Sequence, residues 1–255
     1  MELFLEYDVE RLSRYDAVAD NAGKINIESH PNALFLSFTD VGYFNYCVCF
    51  DPDNLPDVVE RAVSFYGDRQ IRHHRLLIDE ALYAEEHYDF LSEQGYTLKE
   101  RLRVVSAPAD RPGRGPELPS LGLDPVSEES LPAFTADYLT GFESEQKNLA
   151  PVVTNFRQLL GSRGISLYHV TDSGRPVGIA VLYDKGNNYF LAGGAILPDH
   201  RNKGYHTHAL ETRLDWCYRQ KAKNVYSWAY DNSASYRNML KVGLVPYKSF
   251  RVYER

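Results

Sequence analysis

The stretch Ile196-Leu-Pro-Asp-His-Arg201-Asn-Lys-Gly204-Tyr-His-Thr207 decides how the chain is read. Before it lies a strand-like run, residues 189–197, stopped by Pro198. After it Ala209, Leu210, Leu214, Cys217 and Tyr218 recur at helical spacing. A strand, a glycine turn and a helix in that order favour a phosphate site. Unpaired N–H groups at a helix start, reinforced by the helix dipole, converge on an anion, and glycine lets the backbone approach closely. Arg201 and Lys203 add compensating charge. Taken alone, an Arg-x-x-Gly turn is equally an ordinary helix start with two solvated cations, so its surroundings must decide.

Outward from the turn the second half is mixed α/β. Residues 131–138 and 152–160 are amphipathic, and strands follow at 166–171 and 176–183. The turns at Asp172-Ser-Gly174 and at residues 184–188 punctuate a meander. Residues 224–230 alternate Val225, Ser227 and Ala229 against Tyr226, Trp228 and Tyr230. A helix then runs from a cap at Asn232 to a stop at Gly243, and a strand over 247–253 closes the half.

Residues 107–120 carry four prolines and two glycines and read as a linker. The expected organisation is a smaller α/β half over 1–107, a linker over 108–123 and a larger domain over 124–255. In the first half, strands at 34–38 and 43–50 form a hairpin. A helix follows, with Asn54 as cap, Pro56 in its first turn and Val58, Val59, Ala62, Val63 and Tyr66 on one face. A strand at 75–78, a helix through Leu82 and Leu91 stopped by Gly95, and a strand at 96–106 complete it. FLSEQGYTLKERLRVV from Phe90 and NMLKVGLVPYKSFRVY from Asn238 superpose glycine on glycine and arginine on arginine, a faint internal repeat.

Composition bounds the partners. With 255 residues, 44% hydrophobic content and a formal net charge of -7, the chain has material for packed cores and no broad basic footprint for nucleic acid or anionic lipid. No apolar run approaches the ~20 residues of a membrane span. The opening MELFLEYDVERLSRYD is acidic where a signal peptide would be basic, so a cytoplasmic protein is expected. Cys47, Cys49 and Cys217 read as reduced structural thiols. His73 and His74, adjacent on a strand, point to opposite faces, and no metal is expected.

The second half resembles the GNAT N-acetyltransferase superfamily, whose signature is Arg or Gln, two residues, Gly, one residue, then Gly or Ala, entering a helix after a strand that ends in Val-x-Pro. Arg201, Gly204 and Ile196-Leu-Pro198 match it, and DNSASYRNMLKVGLVPY echoes the later motif through Asn232, Ser235, Asn238 and Gly243. The resemblance implies a GNAT fold: a splayed, mostly antiparallel sheet with flanking helices, preceded by a degenerate GNAT-like half. It further implies acetyl-CoA as co-substrate, held at Ile196, Leu197, Arg201, Asn202, Lys203, Gly204, Tyr205, His206 and Thr207, with Asn232 and Asn238 steadying the pantetheine arm or the catalytic helix. The acceptor is then a small-molecule or peptide amine, and a homodimer is left open.

The sequence departs from the pattern at three points. His206 stands where the family has Gly or Ala, Met239 where it has a tyrosine acid, and Leu191-Ala-Gly-Gly-Ala195 where many members have a glutamate base. Tyr236, one turn before Met239, is the nearest replacement acid, with packing as its equal alternative. Glu143 and Glu145, with Asp137, fall where the fold binds substrate and would attract a cationic amine or relay its proton; exposed solvating charges are the plainer account. The expected activity is direct acetyl transfer to an amine. The alternative is a catalytically decayed CoA-sensing or interaction module.

Overall fold

A computed structural model describes residues 2–107, 121–144 and 148–255. Residues 108–120 of the expected linker, and the candidate Glu145, lie outside the described residues. The chain forms two compact units, Asp8–Val104 with Tyr247–Arg255, and Met1–Tyr7 with Val105–Pro246. Residues 247–255, read from the sequence as part of the second half, therefore complete the first unit.

That unit contains residues from α1 (Leu3–Asp16), β1 (Ile25–Ser29), β2 (Ala33–Phe38), β3 (Tyr46–Cys49), α2 (Leu55–Gly67), β4 (Arg75–Asp79), α3 (Glu85–Glu93) and β5 (Thr97–Ala107). The last strand of the chain, β11 (Val245–Glu254), lies between β4 and β5 in the order β1-β2-β3-β4-β11-β5. It pairs antiparallel with β4 from Phe250 opposite Asp79 to Glu254 opposite Arg75. Phe250, Val252 and Tyr253 are buried there, Tyr253 in one core with Leu76, Ile78 and the α2 residues Val58 and Ala62. The expected hairpin is present as β2 and β3, antiparallel from Ala33 opposite Cys49. Helix α2 buries Val58, Val59, Ala62, Phe65 and Tyr66, whereas Val63 faces outward. Asn54 makes no cap bond; its amide donates to Asp51 instead. Leu82 lies in a short 3-10 turn and is exposed, so the helix expected through it begins only at Glu85.

The second unit has the sheet order β10-β9-β8-β7-β6, built from β6 (Leu121–Pro125), β7 (Ile165–Asp172), β8 (Arg175–Lys185), β9 (Asn188–Ile196) and β10 (Asn224–Tyr230). Pairs from β6 to β9 are antiparallel; β9 and β10 are parallel. On one face, α6 (Tyr205–Arg219) and α7 (Ala234–Lys241) close a core of Val170, Ala180, Leu182, Leu210, Leu214, Val225 and Met239. The other face carries α4 (Leu131–Gly141) and α5 (Leu149–Arg157), where Phe134 meets Phe156 edge-on at 5.5 Å. This is the mixed, open, mostly antiparallel sheet that the sequence resemblance implied.

The faint repeat has a geometric counterpart. Gly95 and Gly243 end α3 and α7 at φ of +81° and +85°. In both corners the amide after the glycine reaches back five residues, Tyr96 to the Leu91 carbonyl and Leu244 to the Met239 carbonyl. Left-handed glycine corners of this kind satisfy the last helical carbonyls before a strand begins. No helix among the described residues is long and apolar enough to cross a membrane.

Both tryptophans, Trp216 in α6 and Trp228 in β10, lie in the second unit and report on it. Leu214 is fully buried there. Leu214→Ala is expected to destabilise that unit by about 2–5 kcal/mol, seen as a lower urea midpoint in tryptophan fluorescence.

Candidate active site

Strands β9 and β10 run in register for three residue pairs only, Asn224 opposite Asn188, Val225 opposite Tyr189 and Tyr226 opposite Phe190. Beyond them the strands part. The Leu191 carbonyl accepts from Ser227 Oγ at 3.0 Å, and the Gly193 carbonyl from Arg213 Nη1 at 3.0 Å. On its other edge β9 carries a bulge: Val181 faces Gly193 but Leu182 faces Leu191, leaving Ala192 as the extra residue. Bulges bend a strand and turn its groups aside locally. The sequence 191–197 thus leads from a parting strand into the glycine turn.

Arg213, on α6, is only 3% exposed and uses carbonyls as partners, Gly193 and, through Nε at 3.2 Å, Ala209. Its guanidinium reaches the sheet because residue 194 is glycine; a Cβ there would lie 2.6 Å from Nη2. Burial lowers the arginine to about 10 and raises nearby Cys217 to about 12. Sequence reasoning missed Arg213, although an arginine among Ala209, Leu210, Leu214 and Cys217 on an apolar stripe was the available signal.

In the turn, Pro198–His200 forms a 3-10 helix, Asn202 has φ of +59° and Gly204 +83°, and α6 starts at Tyr205 without a side-chain cap. Among the described residues, the amides of Asn202, Lys203, Gly204, Tyr205, His206 and Thr207 donate to no protein acceptor, the next bond being His208 N to the Gly204 carbonyl at 3.1 Å. Six amides left open around two left-handed residues make a concave set of donors.

The flanking side chains are occupied. Arg201 donates through Nε to the Ile196 carbonyl at 3.1 Å and through Nη2 to the Gly141 carbonyl at 2.8 Å, and it pairs with Glu143. Lys203 Nζ donates to the Asp199 carbonyl at 2.7 Å. The positive character offered to an anion therefore comes chiefly from amides and the helix start. Glu143, expected to draw in an amine, is an ion-pair partner of Arg201. Tyr205 donates its hydroxyl to Asp172, a bond that raises the phenol above its usual range.

His206 turns toward α7, where the Asn238 side-chain amide lies 3.2 Å from Nδ1. Burial, and behind it the charge of Arg213, pull this imidazole down from 6.5 to about 4, so it is neutral at pH 7 and its Nδ1 accepts from Asn238. The helix cap is Ser233, which accepts from Tyr236 N at 3.0 Å; Asn232, expected there, has φ of +60° and gives its carbonyl to Arg237 at 2.5 Å. The Tyr236 ring packs against the core that buries Met239.

Opposite α6, helix α4 lies directly on β9. A Cβ at Gly141 would come 2.8 Å from the Ala195 Cβ, and one at Gly193 would come 3.8 Å from the Tyr138 ring. Tyr138 is flanked by Phe142 at 4.7 Å and Phe156 at 4.8 Å. One residue earlier, Asp137 faces His169 of β7 at 3.8 Å.

Residues 124–244 match the acetyltransferase (GNAT) family model. This segment is similar to GNAT acetyltransferase domains, and the open sheet with its parting strands is the fold that goes with them. Solved structures resemble the chain over nearly its whole length. A GCN5-related N-acetyltransferase from Kribbella flavida is 15% identical, covers 100% of this chain and 96% of its own, and has a TM-score of 0.67. Another from Sphaerobacter thermophilus is 12% identical at a TM-score of 0.65, covering 92% and 83% respectively. A tandem GNAT protein from the clavulanic acid biosynthesis pathway is 11% identical at 0.58, covering 97% and 95%, and supports the two-half arrangement. No curated protein matches the sequence.

The depressed His206 sets a pH dependence. Its neutral form is favoured by folding, so the unfolded chain binds the extra proton between pH 6.5 and 4, and stability must fall as pH drops through that window. Urea midpoints read by tryptophan fluorescence are expected to decline from pH 7 to pH 4 in the wild type and to decline less in His206→Gln, whose amide can still meet Asn238.

Proposed function

We propose that the chain is an N-acyltransferase that moves an acetyl group from acetyl-CoA to an amine, both bound at once, with no covalent enzyme intermediate. The observation that carries this reading is the run of six open amides, Asn202 to Thr207, at the end of a strand whose edge is unpaired by β10 past Phe190. The residues fit the co-substrate. A pyrophosphate takes the amides of the turn, with Gly204 giving close approach and the α6 dipole favouring the charge. Ile196 and Leu197 lie where the strand hands over to the turn, and Asn238, by holding His206 against α7, keeps that imidazole off the amides. Acetyl-CoA supplies an activated thioester. The protein's part is to align the amine with it and to polarise its carbonyl with amides of the bulged β9.

On the acceptor side, the α4 face with Tyr138, Phe142 and the exposed Glu143 is the candidate wall. Tyr236 is the proposed acid, one turn from the buried Met239. A second reading, a module that binds CoA without turning it over, is favoured by that same packing of Tyr236 against the core. Titration calorimetry with acetyl-CoA, followed by thiol release over a panel of amines, separates the two: binding with release supports transfer, and binding alone supports the module.

Gly204→Asp puts a carboxylate beside the open amides. It is expected to weaken acetyl-CoA binding roughly 100-fold, from repulsion of a few kcal/mol at about 4 Å near a surface. Gly204→Asn, which accepts the left-handed backbone and carries no charge, should bind much closer to wild type. Equal binding by both variants would remove the phosphate from this turn.

A further inference from the structure

The sequence places no carboxylate on β9, yet an amine acceptor is an ammonium ion at neutral pH and cannot attack until it loses a proton. The fold supplies a carboxylate from elsewhere. We propose that Asp137, backed by His169, is the catalytic residue that takes the acceptor's proton; the inference rests on the transferase reading above.

Three observations meet here. Asp137 lies on the sheet-facing stripe of α4, with Phe134 before it and Gly141 after it. Gly141 is the residue in contact with Ala195 of β9, four positions on and about 6 Å along the helix axis. His169, buried on β7, lies in the cross-strand row that runs through Ile179 of β8 to Ala195. The carboxylate is thus held against His169 of β7, on the face that α4 covers and one helical turn before the residue that meets β9.

The second observation is that His169 Nδ1 is buried without a hydrogen-bond partner among the described residues, 3.8 Å from Asp137 Oδ2. A buried, unanswered ring nitrogen beside a half-buried carboxylate is unusual in a merely structural pair, which closes to hydrogen-bond distance. Asp124, opposite His169 on β6, is the other charged group on this row; β8 contributes Ile179, and α4 and α5 contribute Phe134 and Phe156. Third, burial raises the Asp137 carboxyl above its ordinary range, and His169 opposes this only in part. The carboxylate is a better base for it.

The step balances without any further reactant. Asp137 takes one proton from the ammonium and becomes a carboxylic acid. The amine lone pair forms the C–N bond at the thioester carbonyl, the C–S bond breaks with its electrons on sulfur, and the second N–H proton passes to that sulfur, giving the amide and the free thiol. Asp137, whose side chain is a quarter exposed, returns its proton to solvent.

The test uses the whole chain with spermidine, kanamycin, phenylalanine amide and a short peptide as amines. Asp137→Asn is expected to bind acetyl-CoA as the wild type does and to lose about 100-fold in kcat/KM for the amine at pH 7. That loss should narrow as pH rises and solvent deprotonates the amine. His169→Gln should show a smaller loss with the same narrowing, which a structural role would not produce. Full activity of Asp137→Asn at pH 7, or a loss equal at every pH, overturns the inference, as does failure of Asp137→Asn alone to bind acetyl-CoA. Wild-type binding with no thiol release from any of the four amines also overturns it. Absence of acetyl-CoA binding by the wild type itself overturns the transferase reading beneath it.

Discussion

Two backbone carbonyls of β9, those of Leu191 and Gly193, accept from the side chains of Ser227 and Arg213 where a continuing ladder would offer the amides of β10. A buried carbonyl must find a donor, so a parallel pair can separate only if something replaces its ladder. The hydroxyl and the guanidinium do this from β10 and from α6. They allow the strands to part without leaving unsatisfied groups, and the gap and the glycine turn beyond it follow.

That arrangement burdens the core. Arg213 enters an otherwise apolar layer with no carboxylate partner among the described residues, and a buried charge is tolerated only when its donors are well used. Gly193 and Gly194 answer the requirement on the two faces of one strand. The first keeps clear of Val181 on β8, where a Cβ would come within 3.2 Å, and the second leaves room for the guanidinium.

Local signals in the sequence were read well. The glycine turn, the meander of β7 to β9, the alternation of β10 and the glycine corners at Gly95 and Gly243 are set by residues within a few positions of one another. What escaped depends on distant partners. Helix α1 and strands β1 and β6 carry weak periodicity and are held by what they pack against. Asn232 and Ser233 are both good caps, and only the backbone chooses Ser233, because Asn232 takes a left-handed turn. The side chains of Arg201 and Glu143 were read as independent charges and are bound to each other across 58 positions. Asp137 and His169 meet only through the register of α4 on the sheet, and Arg213 finds its carbonyl partner on β9, 20 positions away.

The position of β11 bears on how the chain acquires its structure during synthesis. The first unit holds residues 8–104, but its sheet has a slot between β4 and β5 that only residues 247–255 fill. A ribosome releases the beginning of a chain before its end, and units made of one continuous segment can fold in that order. This one cannot. Its early strands must wait, with the edge of β4 uncovered, until the final strand emerges, so the whole second unit is translated while the first is still incomplete.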